Sequence, residues 1–406
     1  MRTRKMERFV TKMVDKGIIC HPKRPKTQLR KFFEEEVSLN QDEIAEIADH
    51  FNELRSDVVS YLNKSTPWTW ETFSAGSYYD GTKVYRPNEM DCQLIPTLDD
   101  SVTPDYEGCQ PGHCRLKVND HEEHGLHRYC DEGFINMDKF RKDIFRMLDK
   151  FQSGQRIKKD LTYDKSPSYR VIYKTTVDLP DIEIDFVAAI HVDEWPDYPL
   201  ANNLRKKLSR DLPSEVDPKG IMDEGFNTVM KHCKADVPDK VLQWKMSFTY
   251  AEKMLSKHAD KKCWKPVLRI IKRAKEIAKG DSDLSATSSI SKQIEKAAEY
   301  TKRHFFPDSD GSLGLGTYPI RMLMWTLLYD RDLGRGYRAW QNSDTLEELH
   351  VSLGQFREML VGNLPIPNLF MPLMGDTMTT ARYDDKRFMY IMTLVIGVLF
   401  SEQPDD

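Results

Sequence analysis

The chain has 406 residues, 39% of them hydrophobic and 31% charged, with a formal net charge of −4. That suffices for two to three packed domains at about 150 residues each, and it excludes disordered, collagen-like and low-complexity classes. The charge is uneven: residues 1–31 carry 11 Lys or Arg against 2 acids and residues 256–279 carry 9 against 2, so two basic blocks on an acidic body point to a localised anionic partner.

In chain order, residues 1–31 read as a basic arm closed by His21-Pro22-Lys23-Arg24-Pro25-Lys26. The opening Met-Arg-Thr-Arg-Lys-Met-Glu lacks the apolar core of a secretory leader. Ser38 and Asn40 then offer caps for a helix over 38–62. Ile44, Ile47, Ala48, Phe51, Leu54, Val58, Val59 and Leu62 recur in it at three-to-four spacing, and Pro67 stops it. Strand signals follow at Val84–Tyr85, Met90–Leu98, Cys114–Val118, Tyr169–Thr176 and Asp181–Ile190, with a helix over Phe134–Phe151 between two of them. After about residue 205 strand signals cease. Helices are predicted over 220–235, 248–259, 264–279, 288–305, 317–330, 343–362 and 382–400, with breaks at Gly280–Ser289 and Pro307–Gly316.

The fold class expected is α+β and bilobed, a mixed α/β lobe followed by an all-helical lobe, tied together by the long N-terminal helix. The domains expected are an arm over 1–37, a core lobe over 38–205 and a helical lobe over 206–406. Seven cysteines at 20, 92, 109, 114, 130, 233 and 263 form no regular framework, which predicts a reducing, cytoplasmic setting. The longest apolar run, Phe388 to Phe400, is 13 residues, short of the roughly 18–20 that span a bilayer. It reads as a buried helix.

The chemistry is carried by Ala75-Gly76-Ser77-Tyr78-Tyr79 and, twelve residues after Ser77, by Glu89-Met90-Asp91. On a strand, residues i and i+2 share a face, so Glu89 and Asp91 project together while Met90 and Cys92 turn to the core. Adjacent carboxylates repel unless a cation sits between them. A third acid, Asp185, stands on the apolar strand Ile182-Glu183-Ile184-Asp185-Phe186-Val187. Three such acids on neighbouring strands can hold two divalent ions about 4 Å apart, the apparatus for in-line displacement at phosphorus. Gly76 lets backbone approach a phosphate and Ser77 adds a hydroxyl donor.

With these motifs the sequence resembles cyclic GMP–AMP synthase and its relatives, the cGAS-like receptors. The resemblance rests on Gly-Ser-Tyr-Tyr, Pro87-Asn88-Glu89-Met90-Asp91, Ser166-Pro167 and Asp185. It continues through Trp244-Lys245-Met246-Ser247-Phe248, Lys265 to Lys272, Gly316-Thr317-Tyr318-Pro319-Ile320-Arg321 and Ile366-Pro367-Asn368-Leu369-Phe370. It implies a nucleotidyltransferase fold in which the long helix is a spine. It implies that Glu89, Asp91 and Asp185 bind two Mg²⁺ or Mn²⁺ ions and that Asp185 helps deprotonate the attacking ribose hydroxyl. Ser77, Lys272 and Thr317 would contact the donor triphosphate, Tyr318 would stack on a base, and Lys245, Ser247 and Glu252 would line the pocket. ATP and GTP would be joined into a cyclic dinucleotide read by a STING-type receptor in innate immunity, and the enzyme would pair into homodimers on its ligand.

The synthase itself has a zinc ribbon of one His and three Cys where this chain reads Lys257-His258-Ala259-Asp260-Lys261-Lys262-Cys263-Trp264. One His and one Cys cannot complete a tetrahedral site, so the resemblance is to the branch without the ribbon, several members of which sense double-stranded RNA. A second cluster, Cys109, His113, Cys114, His121, His124, His127 and Cys130, has no finger spacing, and zinc is not expected there. On a helical wheel over 261–278, Val267, Ile270, Ile271, Ala274 and Ala278 share one face. Lys261, Lys262, Lys265, Arg269, Lys272 and Arg273 fall opposite, which predicts an outward basic stripe. Together with the arm and Arg205, Lys206, Lys207 and Arg210, this stripe would bind duplex RNA, ahead of DNA, through phosphates. The competing readings are an inactive scaffold with the same fold and an RNA-end polymerase. An inert relative is free to lose the acid triad, and the Tyr-Tyr and Thr317-Tyr318 motifs argue against the polymerase.

Overall fold

The structure, a computed structural model, describes residues 3–84, 88–98, 102–119, 125–152, 157–160, 167–175, 179–196, 209–210, 216–233, 236–259, 263–280, 288–307, 317–329, 340, 344–362 and 383–401. The chain divides into two compact units. One comprises Met1–Ser38, Lys207–Ser214 and Ala259–Asp406, the other Leu39–Lys206 and Glu215–His258. This differs from the expected division. The arm 1–37 belongs to the helical unit, and 215–258 belongs to the sheet unit.

The sheet unit opens with the long helix, which spans Gln41–Ser65 and is called α3 because α1 (Thr3–Asp15) and α2 (Pro25–Phe32) precede it. Asn40 caps α3 by accepting a bond from the Asp42 amide at 3.0 Å, and Asp42 and Glu43 suit its positive N-terminal end. Ile47, Phe51, Leu54, Val58 and Leu62 form its buried stripe. The strands are β1 (Trp70–Ala75), β2 (Glu89–Pro96), β3 (Val102–Asp105), β4 (His113–Val118), β5 (Cys130–Asp131), β6 (Phe134–Ile135), β7 (Ile157–Lys159), β8 (Tyr169–Tyr173), β9 (Ile182–Val192), β10 (Phe226–Val229) and β11 (Trp244–Ser247). The main order is β1-β2-β9-β10-β11-β4-β6-β5, with β3 on β4 and β8 bridging β7 to β9.

The pairing of β2 with β9 is parallel, while β1 on β2 and β8 on β9 are antiparallel. The one-turn helix α4 (Gly76–Tyr79) follows β1, and α5 (Met137–Gln152), α6 (Pro218–Asp223) and α7 (Thr249–His258) complete the unit. Strands β10 and β11 correct the expectation of helix over 220–235 and of no strands past 205. Each is only four residues long, too short for alternation to declare itself. Pairing with β9 and β4 makes them strands.

The helical unit contains α1, α2, α8 (Trp264–Lys279), α9 (Ser289–Phe305), α10 (Thr317–Tyr329), α11 (Thr345–Gly362) and α12 (Tyr383–Leu399). Helix α8 is its axis. Trp264, Val267, Leu268, Ile270, Ile271 and Ala274 are buried, Trp264 packs on Trp325 with ring centroids 4.7 Å apart, and Gly280 in the left-handed region closes the helix. The run 388–400 is buried within α12 and at its end. Among the described residues no helix is long and apolar enough to cross a membrane.

Candidate active site

Strand β1 delivers the chain to the site at Ala75, which lies opposite Asp91. Gly76 then turns with φ of 82°, a conformation that disfavours any side chain. A Cβ placed on Gly76 would stand 1.9 Å from Asp91 Oδ2. The turn that carries Ser77 therefore lies directly against a carboxylate. Two tyrosines fasten it: Tyr78 Oη donates to the Ile44 carbonyl of α3 at 3.2 Å, and the Tyr79 ring packs on Phe51 at 6.0 Å.

Along β2, Met90 and Cys92 are fully buried, while Glu89 and Asp91 sit half-buried on the other face. The parallel register sets Asp91 beside Asp185 and Glu89 beside Glu183. Four carboxylates thus form a two-by-two array on adjacent strands. Burial, then Glu89 and Asp185, pushes the Asp91 carboxyl up to about 7. Burial is also the larger cause of the rise at Glu183, with Glu89 adding to it.

Two cations hold the array. Lys83 Nζ pairs with Glu89. Arg170, opposite Asp185 on β8, donates from Nε to Asp185 Oδ1 at 2.8 Å and from Nη2 to Oδ2 at 2.6 Å. Its Nη1 reaches Glu183 at 3.2 Å, and Ser168 Oγ donates to Asp185 Oδ1 at 3.1 Å. Sequence reasoning missed Lys83, Ser168, Arg170 and Glu183. The i, i+2 argument that joined Glu89 to Asp91 also joins Glu183 to Asp185. Nothing in the sequence marks Arg170 before the register of β8 is known.

Among the described residues no three His, Cys, Asp or Glu side chains are grouped as they stand to hold a metal ion; Glu89 pairs with Lys83 and Asp185 with Arg170. The donor set nevertheless suits a hard divalent cation, being all carboxylate oxygen. The Gly76 backbone leaves the space beside Asp91 that any Cβ would fill.

The remaining expected nucleotide contacts are divided. Lys245 and Ser247 share the half-buried face of β11, and Glu252 is buried on α7, all in the sheet unit. Lys272 is buried on α8 in the helical unit. Thr317 and Tyr318 start α10, and their side chains lie outside the described residues.

The expected basic stripe is corrected. Arg273 is fully buried and pairs with Glu36, itself 1% exposed, at 2.7 Å. Arg269 donates to the Val37 carbonyl at 2.7 Å and covers the Phe33 ring, and burial lowers its pKa. Lys265 lies over the Trp264 ring. Residues 33–37 thus cover Arg269 and Arg273, which the wheel left to solvent. Lys261 and Lys262 lie outside the described residues, as do Arg205, Lys206 and Lys207.

The arm is corrected in the other direction. Helix α1 docks with Met6, Phe9, Val10 and Met13 buried, leaving Arg4, Lys5, Arg8 and Lys12 exposed. With Phe9, His304 and Phe305 these cations line a groove of about 780 Å³. In the Cys/His cluster, Cys109 and Cys130 donate to backbone carbonyls and Cys114 is buried in β4. His121 and His124 lie outside the described residues.

A glycine-serine turn against paired strand acids suits phosphoryl transfer through divalent ions. Residues 78–258 match the family model of the Mab-21 protein nucleotidyltransferase domain. The chain is 28% identical over 236 residues to a cyclic GMP-AMP synthase-like receptor of Magallana gigas, covering 55% of this chain and 39% of that protein. It is 27% identical over 263 residues to one of Microplitis demolitor, covering 59% and 47%. The chain thus spans less than half the length of either relative; over residues 78–258 it is similar to the Mab-21 nucleotidyltransferase domain, and in the matched segments to the two cyclic GMP-AMP synthase-like receptors.

Proposed function

We propose that this protein joins two nucleoside triphosphates, ATP and GTP first among them, into a cyclic dinucleotide messenger of innate immunity when it binds duplex nucleic acid. The observation that carries the reading is the register of Asp91 beside Asp185, with the Gly76 turn closed against Asp91. Glu89, Asp91 and Asp185 would hold two Mg²⁺ or Mn²⁺ ions. When bound, such ions neutralise charge on the attacking and leaving oxygens of an in-line displacement.

The chain's own groups do the rest. The amide of Ser77 and its hydroxyl would bind the donor phosphates, with Lys272 and Thr317 reaching the same triphosphate. Asp185 would accept the proton of the attacking ribose hydroxyl as the new P–O bond forms and pyrophosphate departs. Lys245, Ser247, Glu252 and Tyr318 would position the nucleotide, Tyr318 by stacking on a base. The first such transfer gives a linear dinucleotide, and a second on the other α-phosphorus closes the ring and releases a second pyrophosphate.

The activator surface favoured is α1, since Arg269 and Arg273 are engaged within their own unit. Arg4, Lys5, Arg8 and Lys12, with His304, offer phosphate contacts that tolerate any sequence. Double-stranded RNA is the first candidate and DNA the second. Labelled nucleoside triphosphates incubated with the protein, Mg²⁺ or Mn²⁺, and duplex RNA, duplex DNA or neither should give a cyclic product only with a duplex. No product under any condition would overturn the proposal.

A further inference from the structure

The acid array holds an internal cation where the reaction would need an external one. Arg170 and Asp185 side chains are each 12% exposed, and the antiparallel register of β8 on β9 sets them opposite each other. The guanidinium takes Asp185 on both oxygens, at 2.8 and 2.6 Å, reaches Glu183 at 3.2 Å and lies 3.9 Å from Glu89. Asp185 Oδ1 accepts a second bond from Ser168. A forked, permanently charged guanidinium cannot leave this site by losing a proton. It must leave by rotation.

Resting on the metal reading of the site, we infer that Arg170 competes with a divalent cation for Asp185 and so sets the order in which the site loads. Asp91 receives no hydrogen bond from the described residues, and Asp185 is engaged three times over. The first ion therefore binds at Asp91 and Glu89, where it meets Lys83 and the more distant edge of Arg170 but no bidentate fork. The second binds when Arg170 is drawn off Asp185. A triphosphate is the natural lure, because a guanidinium fork matches phosphate as well as carboxylate. The site would then assemble fully only when nucleotide is present. Arg170 is by this account a positioning residue that acts through Asp185.

The sign of one measurement decides this. Arginines that merely orient a metal ligand support binding, and losing such a partner typically weakens metal affinity by about 10–100-fold. A competing arginine does the reverse. Mn²⁺ affinity of the full chain, read without nucleotide from the free-ion electron paramagnetic resonance signal, should tighten by about tenfold in Arg170→Met, since a like charge beside a divalent ion is removed. Arg170→Lys keeps the charge and loses the fork, so it should tighten less. In chelator the Met variant should melt below wild type, and Mn²⁺ should raise its Tm more. Should the Met variant not fold, Arg170→Lys alone must bind Mn²⁺ more tightly than wild type. Unchanged or weaker binding in the variants overturns the inference and leaves the metal reading standing. No Mn²⁺ binding by wild type or either variant, with or without nucleotide, overturns both.

Discussion

Gly76 and Asp91 sit so close that a single methyl group on the glycine would stand 1.9 Å from the carboxylate oxygen Oδ2. Two independent demands fall on one position. The φ of 82° costs an L side chain about 1–2 kcal/mol, and the collision would push the Asp91 carboxylate from its place. Gly76→Ala should therefore lower Tm and also reduce nucleotide transfer by about a hundredfold, the scale of a 1 Å misplacement at reacting groups. Thermal unfolding and turnover on one preparation check both. A variant with full turnover would show that the approach is not needed.

Asp91→Asn should abolish turnover while leaving the metal-free fold at least as stable as wild type. The sign follows from the raised carboxyl. A group whose folded pKa is raised to about 7 from 3.8 binds more protons folded than unfolded between those values. Its contribution to stability is present below about pH 4 and is lost as pH rises through 7. Metal-free wild type should thus lose stability from pH 4 to 7.5 more steeply than Asp91→Asn, as read by urea midpoints across that range. Parallel profiles would refute the assignment.

Arg273→Met should destabilise the helical unit by about 3–5 kcal/mol, the scale for stripping one partner from a buried ion pair, because the buried Glu36 would lose its 2.7 Å pairing with the guanidinium. Glu36 also accepts from the Ser288 amide at 2.9 Å, so the loss reaches the start of α9. Arg269→Glu should destabilise as well, losing its bond to the Val37 carbonyl. Denaturant unfolding followed by tryptophan fluorescence gives both values. A neutral Arg273→Met would mean that α8 is not pinned by this pair.

Changing Arg4, Lys5, Arg8 and Lys12 together to Glu should weaken duplex binding and flatten its salt dependence by about one for each phosphate no longer neutralised. These side chains are exposed, while the docking of α1 rests on Met6, Phe9, Val10 and Met13, so the fold should survive. Affinity measured across a salt series checks this. Undiminished binding would exclude α1 as the sensor.

Much of this molecule was legible in its sequence where periodicity is long. Helix α3 and the helices from α8 onward lie within a few residues of their expected bounds, and β9 alternates as Ile182-Glu183-Ile184-Asp185 predicts. Glu89 and Asp91 stand out by their i, i+2 spacing after the Gly-Ser turn and Asp185 by its apolar strand, and the register sets Asp91 beside Asp185. What escaped were relations that only the register creates. Arg170 is an ordinary strand arginine until β8 lies against β9. Arg273 looked solvent-facing because a wheel shows which residues share a face and says nothing of what covers it. The cover is Glu36, in an acidic run that offered the one available hint. The arm's docking escaped notice because its basic residues are conspicuous, while the apolar ones that dock it, Met6, Phe9, Val10 and Met13 in α1 and Leu29 and Phe32 in α2, are spread among them.

The central claim is that the paired carboxylates of β2 and β9 make a closed dinucleotide. The most direct measurement gives wild type and Asp91→Asn labelled ATP and GTP with Mg²⁺ or Mn²⁺ and duplex RNA, then treats the products with phosphatase. A cyclic dinucleotide has only diester phosphates and survives. The account predicts a phosphatase-resistant product from wild type and none from Asp91→Asn. A product that phosphatase strips, or a resistant one made equally by Asp91→Asn, would contradict it.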